Sequence, residues 1–124
     1  MKKLFIFTLV AASAFAGSAI AAENCKDPQS QLAMNTCAAK DYERDDARLN
    51  KTYKELVAKL EKERREQVKE VQIAWIKYRD LQCDFDSAGY EGGTMYSLVR
   101  SSCLSRMTKE RTKDLKAMLE EAAM

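Results

Sequence analysis

Four cysteines, Cys25, Cys37, Cys83 and Cys103, are the residues of this chain best suited to covalent chemistry. Their spacings of 12, 46 and 20 residues include no Cys-x-x-Cys pair, the arrangement used for thiol exchange. An even number without that motif points to two structural disulfides in an oxidising compartment. Histidine is absent, which removes His-containing zinc sites, Ser-His-Asp triads and Cys-His dyads together. No catalytic set, no metal site and no cofactor is expected.

The second chemically capable group is a set of polar side chains on otherwise apolar helical seams. Asp46 falls between Tyr42 and Leu49, and Arg111 between Thr108 and Leu115. Folding the chain back between the first two helices brings Arg79 to the level of Asp46 and Asn50. A charge that faces a core has to be paired, since stranding one costs about 3–5 kcal/mol. Asp46 is therefore expected to meet Arg79 or Arg111, with Asn50 and Gln72 taking up the remaining hydrogen bonds. Such a group is either a binding or acid–base site or a buried network that fixes helix register. The second reading is preferred, because three short helices leave little room for a cleft. A lytic enzyme would need two carboxylates roughly 5–10 Å apart across such a cleft, and the pattern offers none. Trp75 reads as a core anchor, with Tyr42 and Tyr78 packed beside it and their hydroxyls turned outward.

These residues need elements to carry them. Residues 1–21 read as a secretory leader: Lys2 and Lys3, an apolar stretch from Leu4 to Ala16, and Ala19-Ile20-Ala21 before a cut at Ala22. No cysteine follows the cut closely enough for lipid attachment, and no later stretch suits a membrane span, so no membrane anchor is expected after cleavage. The chain carries 21 Lys+Arg against 19 Asp+Glu. Lys2 and Lys3 fall in the leader, which contains no acid, so the mature chain stands at 19 against 19. A nucleic-acid partner would call for a basic excess and is excluded on this ground. Residues 22–124 form one small domain, of a size that often needs covalent staples.

Helical periodicity dominates that domain. The first helix is expected from about Ser30 to Leu60, with Tyr42, Asp46, Leu49, Tyr53, Leu56 and Leu60 on its seam. The second runs from about Glu66 to Phe85, with Val68, Val71, Trp75, Tyr78 and Gln82 inward. The third starts near Thr94, and Leu104, Thr108, Arg111, Leu115, Met118 and Ala122 form its seam. Between the first two, Glu61 to Glu66 has neither Gly nor Pro. A continuous helix there would bury its seam only by pairing with another chain; a turn near Glu63 lets one chain close on itself. The expected fold is all-α, a small three-helix antiparallel bundle stapled by two disulfides, and a monomer.

Four cysteines allow three pairings. Cys25 with Cys37 would tie the N-terminal segment to the first turns of helix one, and Cys83 with Cys103 would clamp helices two and three. Cys25 with Cys83 and Cys37 with Cys103 is the rival. The one clear loop, Asp86 to Thr94, ends in the acidic and aromatic tip Tyr90-Glu91-Gly92-Gly93. Loops on a rigid scaffold often carry binding, so this tip is the first candidate contact, with an inert connector as the competing reading.

The chain also resembles a known family. Met34-Asn35-Thr36-Cys37-Ala38, Leu49-Asn50 with Tyr53, Ala74-Trp75 with Tyr78-Arg79-Asp80 and Cys83, and Cys103-Leu104 together resemble the LprI-type lysozyme inhibitors, over roughly Cys25 to Leu115. The resemblance favours joining the last two cysteines. It implies an exported, periplasmic or secreted, non-enzymatic protein that binds a lysozyme and shields peptidoglycan by occupying its cleft. A cell-envelope scaffold or adaptor without inhibitory activity is the alternative. Two positions depart from the family pattern: Ala33 stands where an acid is common, costing Ser30 a capping partner, and Asp45 stands where Ala is common. A neutral mature chain also lacks the acidic charge that would steer it to a basic lysozyme.

Overall fold

Ser30 sets where the helical part begins. Its backbone is extended and its hydroxyl accepts the Ala33 N–H at 3.0 Å, satisfying one of the free donors of a helix start. The missing acid at position 33 removes only the reciprocal half of a capping box; Ala33 itself is buried. In the computed structural model, which describes residues 24–124, α1 spans Gln31–Lys59, α2 Lys62–Ser87 and α3 Tyr96–Ala122, with a single 3₁₀ turn at Ala88–Tyr90. The leader expected over residues 1–21 lies outside the described residues. Among those described there is no strand, and no helix is long and apolar enough to cross a membrane.

The first reversal comes earlier than Glu63. Leu60 and Glu61 are both extended, and α2 begins at Lys62 instead of Glu66. Two residues suffice without Gly or Pro because Leu60 folds back onto the core formed by Leu49, Leu56 and Leu115. The charged run Glu61 to Glu66 becomes the exposed start of α2.

The helices do not approach one another equally. α1 and α3 run closely side by side, while α2 lies mainly against α3 and meets α1 through side chains. Side-chain size explains the difference. Buried Ala38, Asp45 and Thr52 on α1 and Ser105 and Thr112 on α3 are small. Trp75 and Arg79 on α2, together with Arg111 on α3, are long and hold α2 further off.

Two apolar clusters result. One is Leu49, Leu56 and Leu115, flanked by Tyr53, Leu60, Val68, Trp75 and Met118. The other is Cys83, Cys103 and Leu104, flanked by Tyr42 and Met107. Only four leucines among the described residues are fully buried, a thin core at about 1.5–3 kcal/mol each. The disulfides supplement it. Cys25 pairs with Cys37 and Cys83 with Cys103, and no described cysteine is free. Closing loops of 12 and 20 residues is worth about 3 kcal/mol each in the chain-entropy account.

The two bridges differ in access. Cys25 is exposed, whereas Cys83 and Cys103 are both buried inside a cluster. Thiol attack requires access to sulfur. Under limiting reductant, peptide mapping should find Cys25–Cys37 opened first and Cys83–Cys103 retained until the fold loosens; opening in the reverse order would contradict this packing.

Candidate functional site

Between the two apolar clusters lies a polar layer with Arg79 at its centre. The Arg79 side chain is buried. Its Nε and Nη2 both donate to Asp80 Oδ1 at 2.9 Å. Nη1 donates to Thr108 Oγ1 at 3.3 Å and lies 3.5 Å from Asp46 Oδ1. The guanidinium also lies over the rings of Tyr42 and Trp75, at 5.4 and 5.3 Å from their centroids, within cation–π range. One side chain on α2 thus touches α1 through Asp46 and Tyr42, and α3 through Thr108.

The structure brings Asp46 to Arg79, not to Arg111. Asn50 donates to Asp46 Oδ2 at 3.2 Å. Arg111 instead donates from Nε to Gln72 Oε1 at 3.0 Å and lies 5.9 Å from the Trp75 ring centroid. Its Nη1 reaches Asp114 only at 4.0 Å, and its buried Nη2 has no hydrogen-bond partner. Trp75, half-buried, therefore lies close to two guanidinium groups.

Two features escaped the sequence pattern. Asp80, adjacent to Arg79, is its nearest carboxylate. Asp45, rather than Asp46, is the acid sealed inside α1: it is 1% exposed. Asp45 Oδ2 accepts the Ser105 hydroxyl at 2.5 Å, while Oδ1 has only Arg48 nearby, at 3.6 Å. The signal was present in the steps Ala38, Asp45, Thr52, each seven residues apart. That seam faces α3, beside the Tyr42, Asp46 and Tyr53 edge that faces α2. The inward side of α2 also differs from expectation. Val68 and Trp75 pack against the core, but the fully buried positions are Gln72, Arg79, Cys83 and Ser87. Val71 and Tyr78 are mostly exposed, so neither is an inward position of the kind the seam implied. Apolar residues occur all round α2, and periodicity alone could not select the face whose polar groups find partners.

The candidate contact tip lies apart from this layer. Tyr90 is 43% exposed and Glu91, Gly92 and Gly93 are exposed. The tip is a closed turn: Glu91 N–H donates to Ala88 O at 3.3 Å and Gly93 N–H to Tyr90 O at 3.0 Å. Gly92 takes φ of 76°, a conformation glycine adopts without strain. Asn35 on α1 donates to Thr94 O at 2.8 Å and fastens the exit of the turn. At the opposite end of the molecule, Leu56, Leu60, Val68, Val71 and Met118 line an apolar groove of about 370 Å³ edged by Arg64 and Glu121. Among the described residues no cluster of His, Cys, Asp or Glu is arranged to hold a metal ion.

A disulfide-stapled all-α domain with a polar central layer and a projecting aromatic turn is what the fold and these sites define. The chain belongs to the LprI family: the family described as "Lysozyme inhibitor LprI" matches residues 21–115. It is also 39% identical over 114 residues, covering 80% of this chain and 81% of the other, to an uncharacterized protein of Rhizobium meliloti (strain 1021). No solved structure matches.

Two measurements test the polar layer. Arg79→Ala should destabilise the protein by about 2 kcal/mol, through lost packing and cation–π contact with Tyr42 and Trp75 and an unpartnered Thr108 hydroxyl, while Lys62→Ala at the exposed start of α2 should leave the denaturation midpoint in place. Equal midpoints for the two variants would remove Arg79 from any structural role. The second concerns Tyr42. Burial pushes its hydroxyl above the ordinary 10.0; Arg79 pulls the other way, and Asp46 and Asp80 add to the rise. The fold favours the neutral phenol, so the unfolded chain loses this proton first as pH climbs. The contribution is complete below about pH 10 and is lost as pH rises through the folded value. Tyr42→Phe should therefore flatten the alkaline fall in stability relative to wild type; superimposable curves would contradict the shift.

Proposed function

We propose that this protein is an exported inhibitor, periplasmic or secreted, that protects peptidoglycan by occupying the cleft of a lysozyme. The observation that carries the reading is the family match over residues 21–115, which spans the whole helical scaffold up to Leu115. Export fits the leader read in the sequence and the two disulfides.

The contact we assign is the Tyr90–Gly93 turn. A substrate cleft is concave and accepts a projecting segment. This turn presents an aromatic ring and a carboxylate, and its backbone is already closed by hydrogen bonds, so little conformational entropy remains to be lost on docking. The Tyr90 ring would fill space that a sugar ring otherwise takes, and Glu91 would offer a polar contact at the edge. Charge steering contributes little, since the mature chain is formally neutral. Arg79, Asp46, Asn50, Gln72 and Arg111 act in this reading as the register layer behind the scaffold and do not touch the enzyme. The adaptor alternative draws its support from an apolar face on α2 that stays exposed in the single chain.

Inhibition assays against chicken-type and goose-type lysozymes test the proposal. Wild type should inhibit at least one. Tyr90→Ala should weaken inhibition about tenfold or more, as expected for an aromatic hot spot. Glu91→Ala should matter less at physiological salt, and neither change should move the melting temperature appreciably. Full inhibition by Tyr90→Ala would relocate the contact to a helix face, and an inactive wild type would leave the adaptor reading standing.

A further inference from the structure

The second helix is amphipathic in the wrong sense for a free-standing bundle. Toward the bundle it buries Gln72, Arg79 and Ser87 beside Cys83, Val68 and Trp75; away from it, it exposes further apolar side chains. Val71 is 52% exposed, Tyr78 57%, Leu81 60% and Phe85 78%. With exposed Ala74, these residues follow one another at steps of three, four, three and four. That is the repeat which keeps a stripe facing a second helix, and nothing among the described residues covers it.

We propose that the outer face of α2 is the contact between two copies of this chain, packed antiparallel about a two-fold axis. Three observations favour a second copy over another occupant. First, the stripe is complementary to itself. Aligning Tyr78 with the partner's Leu81 places Phe85 against the partner's Ala74, a large side chain over a small one, and the symmetry makes each of these contacts twice. Second, the flanking charges agree with that register. Lys77 borders the stripe on the same side as Asp84, and the antiparallel alignment sets Lys77 of each copy beside the partner's Asp84. Asp84 is 55% exposed while holding Arg100 through Oδ1 at 2.9 Å, so a second cation can reach it. Third, the area suits a weak, reversible pair. Given about 150–250 Å² for an aromatic side chain, the exposed parts of Val71, Tyr78, Leu81 and Phe85 come to about 450 Å² per copy. Two copies remove about 900 Å² before any flanking residue is counted, below the ~1,200–2,000 Å² of stable specific interfaces and in the range of weak, transient ones. The pairing is proposed against the monomer expected from the sequence and is independent of whether the protein inhibits a lysozyme.

Sedimentation velocity over a wide concentration range, on the mature chain with both disulfides formed, tests the pairing. Wild type should show a reversible monomer–dimer equilibrium. Leu81→Glu should weaken it by about a hundredfold or more, since two carboxylates would be buried without partners, while the far-ultraviolet circular dichroism stays unchanged. A mixing experiment tests the register. Lys77→Asp and Asp84→Lys should each associate more weakly than wild type, because each sets like charges together twice. Their equimolar mixture should recover the dimer, because both contacts then join opposite charges. Wild type that stays monomeric throughout, a Leu81→Glu chain that dimerises normally, or a mixture no stronger than its components would each overturn the proposal. A monomeric wild type whose lysozyme inhibition is lost on Leu81→Glu would overturn it in favour of a different protein on the same face.

Discussion

The pairing of one buried guanidinium with all three helices is the constraint on which this structure depends. Arg79 reaches α1 at Asp46 and Tyr42, α3 at Thr108, and its own helix at Asp80. A buried arginine is costly wherever its donors lack partners. Sliding α1 or α3 past α2 would part Arg79 from Asp46 and Tyr42 or from Thr108. The layer also divides the core, with the leucine cluster on one side and the cystine cluster on the other. Neither cluster is large. Register in this domain is therefore set by polar geometry, and chain entropy is limited by covalent bonds. Apolar burial supplies a smaller share than in a bundle built from leucine seams.

That division of labour explains which parts could be read from the sequence. α3 was legible along one seam: Leu104, Thr108, Arg111 and Leu115 are buried, and Met118 and Ala122 pack on the leucine cluster, whereas buried Ser105 and Thr112 lay outside it. Its polar seam positions sit at helical spacing between apolar ones, so the period survives them. α1 was legible as a helix but has two inward seams. The one facing α3 passes through Asp45 and Thr52, which an apolar count skips in favour of neighbouring Asp46 and Tyr53. α2 was legible in extent and misleading in orientation. Its inward face is chosen by the partners available to Gln72 and Arg79 on other helices, which no local pattern contains; Ser87 alone is satisfied locally, by the carbonyl of Cys83. The early reversal at Leu60 has the same character, since it is set by a tertiary contact and not by a turn residue.

Of the residues singled out in advance, the polar set converges in space while the contact tip stands apart from it, and the two answer different needs. The polar set centres on buried Arg79, Gln72 and Arg111, with Asp46 and Asn50 at its solvent edge. The tip is open and carries an aromatic ring on a backbone already closed into a turn. A protein whose task is to present a surface has use for this arrangement, because the layer holds the helices in register and the turn inherits that rigidity through Asn35 and the start of α3.

The cysteine pairs complete the argument from composition to surface. A domain this size with a conventional core would spend its apolar residues inward. Here the bridges, at about 3 kcal/mol each, carry part of the stability that buried side chains would otherwise supply. Cys83–Cys103 clamps α2 to α3 beside the polar layer. The bridge and the Arg79 network together fix the inner face of α2, so that helix turns few apolar residues inward, chiefly Val68, Trp75 and Cys83. Val71, Tyr78, Leu81 and Phe85 are thereby released to the outside. Exposed stripes of this kind destabilise a monomer in water and favour association. The exposed α2 face, the thin core and the paired cysteines are then one structural solution, in which covalent bonds and a polar layer supplement two small apolar clusters.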